Sequence, residues 1–287
     1  MKKVYFLIFL LLLLSTAFCV LPKTSLESFG LKGNIRTIAL DEDTFYFNQA
    51  GNLETDNYIW YDEDYDEDTE GNINYAYDDK GRLISKEDED YYEGFLGGSY
   101  YTYNSDGLLI EEKYEGLGEY STKYTYNDKK QLNWMKDYSY DDTLDKATEY
   151  AYDKSGNKTK ESDYDKDMQL IKYSEYSYDK SKNVTECRNY LAPNKLDSTH
   201  TYKYNAKNQR IEESVFIDNK LVKKTQNTYD AHGNITESTE VNALSNETTK
   251  FTTNYTYDSK GNWTEKKVLE NGESSWDSER TFTYYEN

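Results

Sequence analysis

An acidic run in the first third of the chain carries the residues best suited to hold a metal ion. It reads Asp62-Glu63-Asp64-Tyr65-Asp66-Glu67-Asp68-Thr69-Glu70-Gly71-Asn72. A calcium loop of the EF-hand type that starts at Asp66 has carboxylates at its third and fifth places and Gly71 at its sixth. Its twelfth place falls on Tyr77, where such loops carry a bidentate Glu. The candidate calcium ligands are therefore Asp64, Asp66, Asp68 and Glu70, and a solvated acidic hairpin is the alternative.

The residue types needed for covalent or acid–base catalysis are scarce. The two histidines are His200, just before Tyr202, and His232, inside the segment Asp230-Ala231-His232-Gly233 that is typical of a turn. With two His and two Cys, most multi-ligand zinc sites are excluded. No glycine pattern of a phosphate-binding loop occurs before a helix. We therefore expect no enzyme activity and, apart from the calcium site, no cofactor.

Exposed aromatic side chains offer a second kind of chemistry. An aromatic ring can stack on the apolar face of a sugar. The alternative is that each ring packs on its neighbour inside the protein. The candidates for such a sugar-binding platform are Trp60, Trp134, Trp263, Trp276 and the surplus tyrosines, that is, those beyond the repeated pairs described next.

A repeat positions nearly all of these residues. One unit reads aromatic-x-aromatic-(Asp/Asn)-x-x-Gly-(Asn/Arg)-apolar, as in Tyr75 to Leu83 and Tyr255 to Trp263. Lys130, Lys182 and Asn208 replace the Gly in three units. Steps of 23 to 30 residues separate the units, which is the period of a repeat architecture. The second aromatic position of each unit is taken by Phe47, Tyr77, Tyr103, Tyr126, Tyr152, Tyr178, Tyr204, Tyr229, Tyr257 and Tyr284.

Each unit predicts one β-hairpin. Aromatics two residues apart project from the same face of a strand, and we expect the tyrosine pairs of neighbouring units to stack as cross-strand contacts. The Asp or Asn opens a turn by bonding to its own backbone, and Gly supplies the positive φ that closes it. We expect an all-β fold: an antiparallel meander of about eighteen strands that forms a curved, twisted or spiralling sheet. Residues 20–44 are assigned to an N-terminal lead-in with a first strand near Gly33 to Leu40, and residues 45–287 to the repeat domain.

Composition limits the core and the partners. Hydrophobic residues make up 36% of the chain and 32 residues are Tyr, so phenol rings must supply much of the packing. The formal net charge is −20, of which −17 belongs to residues 1–150. Such a surface repels phosphate backbones and excludes nucleic acid as a partner, whereas a basic protein stays possible.

The first 19 residues have the form of a secretory signal. Met1-Lys2-Lys3 precedes an apolar run from Val4 to Leu14, and Ser15-Thr16-Ala17 follows as a small-residue exit. Cleavage after Ala17, acylation of Cys19 and an uncleaved anchor remain alternatives. We expect an exported bacterial protein in the periplasm, at the cell surface or outside the cell, in contact with the membrane only through this leader or a lipid on Cys19. The other cysteine, Cys187, is expected to be a half-buried strand residue.

The unit Tyr-x-Tyr-Asp-x-x-Gly-Asn, clearest at Tyr150 to Asn157 and Tyr255 to Asn262, resembles the YD repeat of the RHS family. The resemblance covers residues 45–284 and implies a hollow β-shell with roles in encapsulation, carbohydrate binding and cell contact. The Pro- and Gly-containing core motif of RHS toxins is missing, and about nine units are expected to be too few to close a shell. The chain therefore resembles a short, free-standing, exported YD-repeat protein.

Together these features predict a non-catalytic module that binds or contacts a surface, with carbohydrate as one possible ligand. The alternative is a structural scaffold that docks a secreted or envelope protein through its acidic N-terminal half.

Overall fold

The computed structural model describes residues 24–62, 67–90, 94–116 and 118–286. In this part of the chain there is one short helix, α1 (Ser25–Ser28), and the rest of the regular structure is strand. The strands are β1 (Ile35–Leu40), β2 (Asp43–Phe47), β3 (Leu53–Asp62), β4 (Glu67–Tyr77), β5 (Leu83–Asp90), β6 (Gly94–Tyr103), β7 (Leu109–Gly116), β8 (Tyr120–Tyr126), β9 (Leu132–Ser139), β10 (Leu144–Tyr152), β11 (Lys158–Asp165), β12 (Leu170–Tyr178), β13 (Val184–Leu191), β14 (Lys195–Tyr204), β15 (Arg210–Ile217), β16 (Lys220–Tyr229), β17 (Ile235–Asn242), β18 (Glu247–Tyr257), β19 (Trp263–Glu270) and β20 (Glu273–Tyr284).

The sheet is an antiparallel meander that closes on itself. Each strand pairs with the next along the chain, which confirms the predicted all-β meander. β1 pairs with β2 on one side and with β20 on the other, for example Ile38 with Phe282. The expectation that about nine units are too few to close was wrong. The physical reason is that β1, from the lead-in, pairs with β20 and thereby removes both exposed edges of the sheet.

The turn of each unit is held by its own Asp or Asn, as the sequence predicted. In the turn Asp179 to Asn183, the Oδ1 atom of Asp179 accepts hydrogen bonds from the backbone N–H groups of Ser181 (2.8 Å) and Asn183 (2.9 Å). The Asn183 Nδ2 atom donates to Asp179 Oδ2 at 3.0 Å, so the Asn that follows the Gly position closes the turn from the other side. Lys182 has a φ of 66°, the conformation that Gly takes in the other turns.

The second aromatic residue of a unit ties that unit to the one before it. The sequence predicted stacking between the rings of neighbouring units, but the hydroxyl groups make the connection. Seven of these phenols donate to the backbone carbonyl that begins the preceding return strand, at 2.6 to 2.9 Å. The pairs are Tyr77 with Leu53, Tyr103 with Leu83, Tyr126 with Leu109, Tyr152 with Leu132, Tyr178 with Lys158, Tyr204 with Val184 and Tyr229 with Arg210. The last two, Tyr257 and Tyr284, donate instead to the carboxylates of Asp230 and Asp258 in the preceding turn.

Replacing Tyr152 with Phe isolates the contribution of one such hydroxyl. The ring stays, while the bond from Tyr152 to the Leu132 carbonyl (2.8 Å) is lost. We expect the free energy of unfolding to fall by about 0.5–1.5 kcal/mol, measured by urea denaturation. Tyr140→Phe is the matched control, because this side chain is 78% exposed. Equal losses for the two variants would contradict a structural role of the repeat hydroxyls.

Side chains from the two ends of the chain form the one continuous apolar cluster among the described residues. It contains Leu26 of α1, Ile35 and Ile38 of β1, and three residues of β2 and β3, namely Phe45, Phe47 and Leu53. Elsewhere buried apolar side chains are scattered, such as Cys187 at 8% exposure, which is more buried than expected. Over most of its circumference the sheet is therefore held by turns and tyrosine hydroxyls rather than by a core.

The closing strands are held together by polar bonds as well. We call the junction of β1, β20 and the lead-in the seam. The side chain of Asn262, only 3% exposed, accepts from the Lys32 N–H (2.8 Å) and donates to the Lys32 carbonyl (2.7 Å). The Tyr285 hydroxyl donates to the Phe47 carbonyl at 2.6 Å. These hydrogen bonds join residues that are 230 or more positions apart in the chain, and they hold the closed sheet together at the seam.

Antiparallel pairing places successive hairpin tips at opposite ends of the strands, and closure gathers them into two rims. The nine turns of the repeat motif, from Asn48–Asn52 to Asp258–Asn262, lie with the seam at one end of the strands; we call this end the basic rim. The alternate connections join the strands at the other end, the acidic rim; residues 63–66, 91–93 and 117 of three of these connections lie outside the described residues. The exposed acids of the acidic rim in the described residues are Asp41, Glu42, Glu119, Asp141, Asp142, Asp145, Asp167, Asp197, Asp218, Glu247, Glu270 and Glu273.

Candidate functional site

A cleft of about 520 Å³ opens at the acidic rim, between the β7–β8 and β9–β10 hairpins. It combines aromatic rings, carboxylates and a hydroxyl, and none of its lining residues carries a positive charge. The lining residues are Gly116, Gly118, Glu119, Tyr120, Ser139, Tyr140 and Asp145.

Tyr120 is held in place by a ring stack. It pairs with Tyr114 across β7 and β8, and their ring centroids lie 4.7 Å apart with an interplanar angle of 14°. Tyr114 in turn lies against Gly97 and Gly116, where an added Cβ atom would overlap its phenol group. Because these two strand positions are Gly, Tyr114 can lie close to the sheet and support Tyr120. The side chain of Tyr120 remains 52% exposed and is available to a ligand.

Tyr140 projects from a rigid tip on the other side of the cleft. The turn from Ser139 to Thr143 closes through the Asp142 N–H, which donates to the Ser139 carbonyl at 3.0 Å. Asp141 Oδ1 accepts from Ser139 Oγ (2.8 Å) and from the Thr143 hydroxyl (2.7 Å). The Thr143 hydrogen bond is the largest cause that lowers the pKa of Asp141, so this carboxylate is ionised at neutral pH. A rigid tip thus holds the Tyr140 ring, 78% exposed, beside the acidic wall.

This arrangement suits a ligand that offers an apolar face and hydroxyl or amine donors. Two exposed phenol rings can stack on such a face, and carboxylates accept hydrogen bonds from its donors. The acidic walls repel phosphate, sulfate and carboxylate groups. The cleft contains no imidazole or thiol that could act as a nucleophile or base.

The two histidines lie elsewhere. His200 Nδ1 is 3.1 Å from Glu213 Oε1 on the neighbouring strand. The His232 ring stacks on Tyr257 with centroids 3.9 Å apart, in the turn position that the sequence indicated. The His232 ring therefore packs between two units, whereas His200 forms a hydrogen bond within its own hairpin.

The calcium prediction stays untested. Asp64 and Asp66 lie outside the described residues, as does the side chain of Asp68. Asp68 pairs with Tyr61 along the backbone of β3 and β4, and Glu70 pairs with Ile59. Among the described residues, no group of three or more His, Cys, Asp or Glu side chains is arranged to hold a metal ion.

The tryptophans do not form the predicted platform in the described residues. The side chain of Trp60 lies outside them. The ring centroids of Trp134 and Tyr164 lie 5.5 Å apart. The guanidinium carbon of Arg280 lies 3.5 Å from the centroid of the Trp263 ring. Trp276 is 47% exposed but has Lys266 at 4.3 Å over its ring. The cleft is built from tyrosines outside the repeat pairs; the run Tyr114-Glu115-Gly116-Leu117-Gly118-Glu119-Tyr120, with its spare rings and glycines, was the signal that could have indicated it.

No helix in the described part of the chain is long and apolar enough to cross a membrane.

Comparisons with known proteins give structural likenesses at low identity. No family model matches the chain, and no curated protein does. One similar solved structure is TcdB2-TccC3, with 15% identity, a TM-score of 0.44 and coverage of 78% of this chain but only 14% of that one. Another is a porin-like protein from Bacteroides uniformis, with 15% identity, a TM-score of 0.40 and coverage of 88% of this chain and 99% of that one. A porin-like protein from Bacteroides vulgatus has 10% identity, a TM-score of 0.28 and the same coverage. At these TM-scores the likenesses carry no argument about function, and the RHS resemblance rests on the repeat units themselves.

Proposed function

We propose that this protein is a non-catalytic, exported module that binds neutral or amine-bearing carbohydrate in the cleft at its acidic rim. The observation that carries the proposal is the pair of exposed rings, Tyr120 and Tyr140, beside the carboxylates of Glu119 and Asp145. The leader-like N-terminus supports export, since a surface-facing protein meets glycans of the envelope or the surroundings.

The cleft chemistry predicts which glycans bind. Aromatic stacking favours pyranose rings with an exposed apolar face. A carboxylate wall accepts hydroxyl and ammonium donors, whereas uronic acids, sulfated sugars and phosphorylated sugars meet like charge. A glycan array should therefore retain neutral and amino sugars and reject acidic ones.

Removing either ring is expected to weaken binding of the selected glycan by at least about tenfold, because each stack contributes of order 1 kcal/mol or more. Titration calorimetry on Tyr120→Ala and Tyr140→Ala measures this. Tyr46→Ala is the matched control, since its ring is 39% exposed on β2, away from the cleft. Unchanged affinity in both cleft variants, or no glycan retained on the array, would reject the proposal.

The acidic rim supports a second candidate, a scaffold that docks a cationic envelope or secreted protein. The acids Asp41, Asp141 and Asp142 are exposed at hairpin tips of the N-terminal half. Docking of this kind depends on ionic strength, because exposed charges are screened by salt. A pull-down from envelope extract should recover the partner at low salt and lose it at high salt. Retention that does not change with salt would exclude the electrostatic version.

A further inference from the structure

The basic rim carries a row of free lysines in an otherwise acidic protein. Lys129, Lys154, Lys180 and Lys207 occupy the tips of four successive repeat turns and are exposed. No ion-pair partner for any of them is present among the described residues. The Asp or Asn that opens each turn accepts hydrogen bonds from within its own turn, for example Asp153 from Ser155 N–H and Asn157 N–H. The lysines are therefore free to meet an external partner.

The turns place these four charges at regular intervals. Neighbouring strands lie about 4.8 Å apart, and consecutive turns on one rim are separated by two strands. The lysines therefore follow one another at roughly 10 Å along the rim. Lys130 and Lys182 are exposed in the same arc; Lys130 pairs with Asp106 at 3.0 Å, and Lys182 lies 3.5 Å from the Ser155 carbonyl.

The opposite rim of the same molecule has the matching features. Both rims belong to the same twenty strands, so they have the same circumference. The acidic rim has the alternate connections between the strands, and the basic rim has nine turns and the seam. Exposed acids on the acidic rim include Asp167, Asp218, Glu247 and Glu273. Hairpin tips thus recur every second strand on both rims, with the four lysines on one rim and these acids on the other. Exposed charges of the other sign lie among them, namely Asp128 and Asp179 on the basic rim and Lys166 and Lys220 on the acidic rim.

The two rims act as separate electrostatic surfaces at physiological salt. β11, a strand of 8 residues, spans about 26 Å at about 3.3 Å per residue. The Debye length is about 8 Å at about 0.15 M ionic strength, so each rim is largely screened from the other. The local positive charge at the lysine tips therefore persists despite the net charge of −20.

We propose that the basic rim docks on the acidic rim of a second copy of this chain, so that copies stack head to tail. The contact joins two different surfaces of the same molecule, and such a contact can be repeated along a filament. The interaction is electrostatic and its contacts lie at hairpin tips, so assembly does not require the sheet to open. The aromatic cleft lies on the acidic rim, and stacking would bring the lysine tips of the next copy to its edge.

The salt dependence has a distinctive form. At about 0.01 M the Debye length of about 30 Å exceeds the distance between the rims, and repulsion between the net negative charges opposes stacking. At about 1 M the Debye length of about 3 Å screens the rim contact itself. Sedimentation velocity of the purified chain should show the largest species near about 0.15 M, with smaller species at both extremes. Association that grows steadily with salt would point to apolar contact and overturn the proposal.

Charge reversal provides the specific test. The variant with Lys129→Glu, Lys154→Glu, Lys180→Glu and Lys207→Glu should weaken association at least about tenfold, because like charges then face each other. The control reverses Lys203, Lys223, Lys250 and Lys267, which lie in strands, so the net charge changes equally away from the lysine tips. Because each of these lysines is ion-paired with a Glu, circular dichroism must first show that the control variant is folded. Equal loss in both variants would show an effect of net charge alone and would overturn the proposal.

A reciprocal variant restores complementarity. Asp167→Lys, Asp218→Lys, Glu247→Lys and Glu273→Lys reverse the acidic rim outside the cleft. Each reversed variant should be monomeric alone, and an equimolar mixture should associate again. A chain that is monomeric at all salt concentrations overturns the proposal, as does lysine-dependent binding to anionic phosphatidylglycerol vesicles without self-association, which would assign the lysine rim to a membrane. Loss of glycan binding with normal stacking affects only the proposed function, so the two proposals fail separately.

Discussion

Replacing Asn262 with Ala is expected to lower the free energy of unfolding by about 2–5 kcal/mol, since it removes a buried amide and leaves the partly buried N–H and carbonyl of Lys32 at the seam without these partners. The amide side chain of Asn262 bonds to both the N–H and the carbonyl of Lys32, and its Nδ2 atom also donates to the Tyr284 hydroxyl at 3.0 Å. An alanine methyl group can make none of these bonds. Urea denaturation followed by circular dichroism measures the loss.

Asn183→Ala is the matched control for the seam. Asn183 occupies the same position in its own unit, but it bonds to Asp179 and to Asn208 of the next turn, and these groups are not at the closing junction. We expect a loss of about 1 kcal/mol or less, because the freed groups lie near solvent. Hydrogen exchange should also quicken selectively in β1 and β20 of Asn262→Ala. A uniform effect over all strands, or equal losses in the two variants, would contradict the special role of the seam.

Replacing Asp56 with Asn is expected to stabilise the protein above neutral pH by about 2–4 kcal/mol. Burial is the largest cause that raises the pKa of Asp56 to about 7, and the nearby Asp43 and Asp88 add to it while Lys86 opposes it. Its Oδ1 atom is buried and finds no hydrogen-bond partner among the described residues. The charged carboxylate is therefore unfavourable in the folded state, and a neutral amide of the same shape avoids that cost.

The sign of the pH dependence follows from the raised pKa. Below about pH 4 Asp56 is protonated in both the folded and the unfolded states, so its ionisation does not lower the free energy of unfolding. Between about pH 4 and 7 the unfolded state ionises first, so the native protein loses stability while the Asn variant does not. The difference in unfolding free energy between the variant and the native protein should thus grow between urea titrations at about pH 4 and about pH 8.

Asp179→Asn is the control of opposite sign. The hydrogen bond from the Asn183 side chain is the largest cause that lowers the pKa of Asp179, so the native carboxylate stabilises the fold when ionised. This variant should become less stable relative to the native protein as the pH rises to about 4, and the difference should then stay flat up to about pH 8, where that for Asp56→Asn grows. A difference for Asp56→Asn that is flat with pH would mean that its carboxylate is not destabilised by burial.

Much of the architecture could be predicted from the repeat. The turn chemistry is local, since Asp179 and Asn183 are four residues apart and their bonds need no distant contact. The spacing of Tyr176 and Tyr178 likewise predicts a strand whose alternate side chains point to the same face. Contacts between units were harder to predict from the sequence. The same spacing of tyrosines is compatible with stacking of their rings and with the observed hydrogen bond from the Tyr178 hydroxyl to the Lys158 carbonyl. The repeat therefore predicts that a tyrosine is present, but it does not predict which group its hydroxyl contacts.

The sequence indicated the surplus tyrosines as a class but did not single out those of the candidate site, for a related reason. Tyr114, Tyr120 and Tyr140 lie outside the repeat pairs, and nothing in their separation along the chain indicates that they meet at one rim. The stack of Tyr114 on Tyr120 depends on the register of β7 and β8 and on Gly97, a residue of a third strand, β6. The tryptophans lie apart from this cleft, with Arg280 over the Trp263 ring and Lys266 over the Trp276 ring, which is 47% exposed.

The sequence by itself determined the all-β hairpin repeat, the chemistry of its turns and the excess of negative charge, because each depends on residues near one another in the chain. Tertiary structure alone decided that the sheet closes, since closure depends on β1 pairing with β20 and on Asn262 reaching Lys32, contacts between opposite ends of the chain. Antiparallel pairing places successive hairpin tips at opposite ends of the strands, and closure gathers each set of tips into a rim. The lysine-bearing repeat turns and the acid-rich tips, which alternate along the chain, thus lie at opposite ends of the molecule, about one strand length apart.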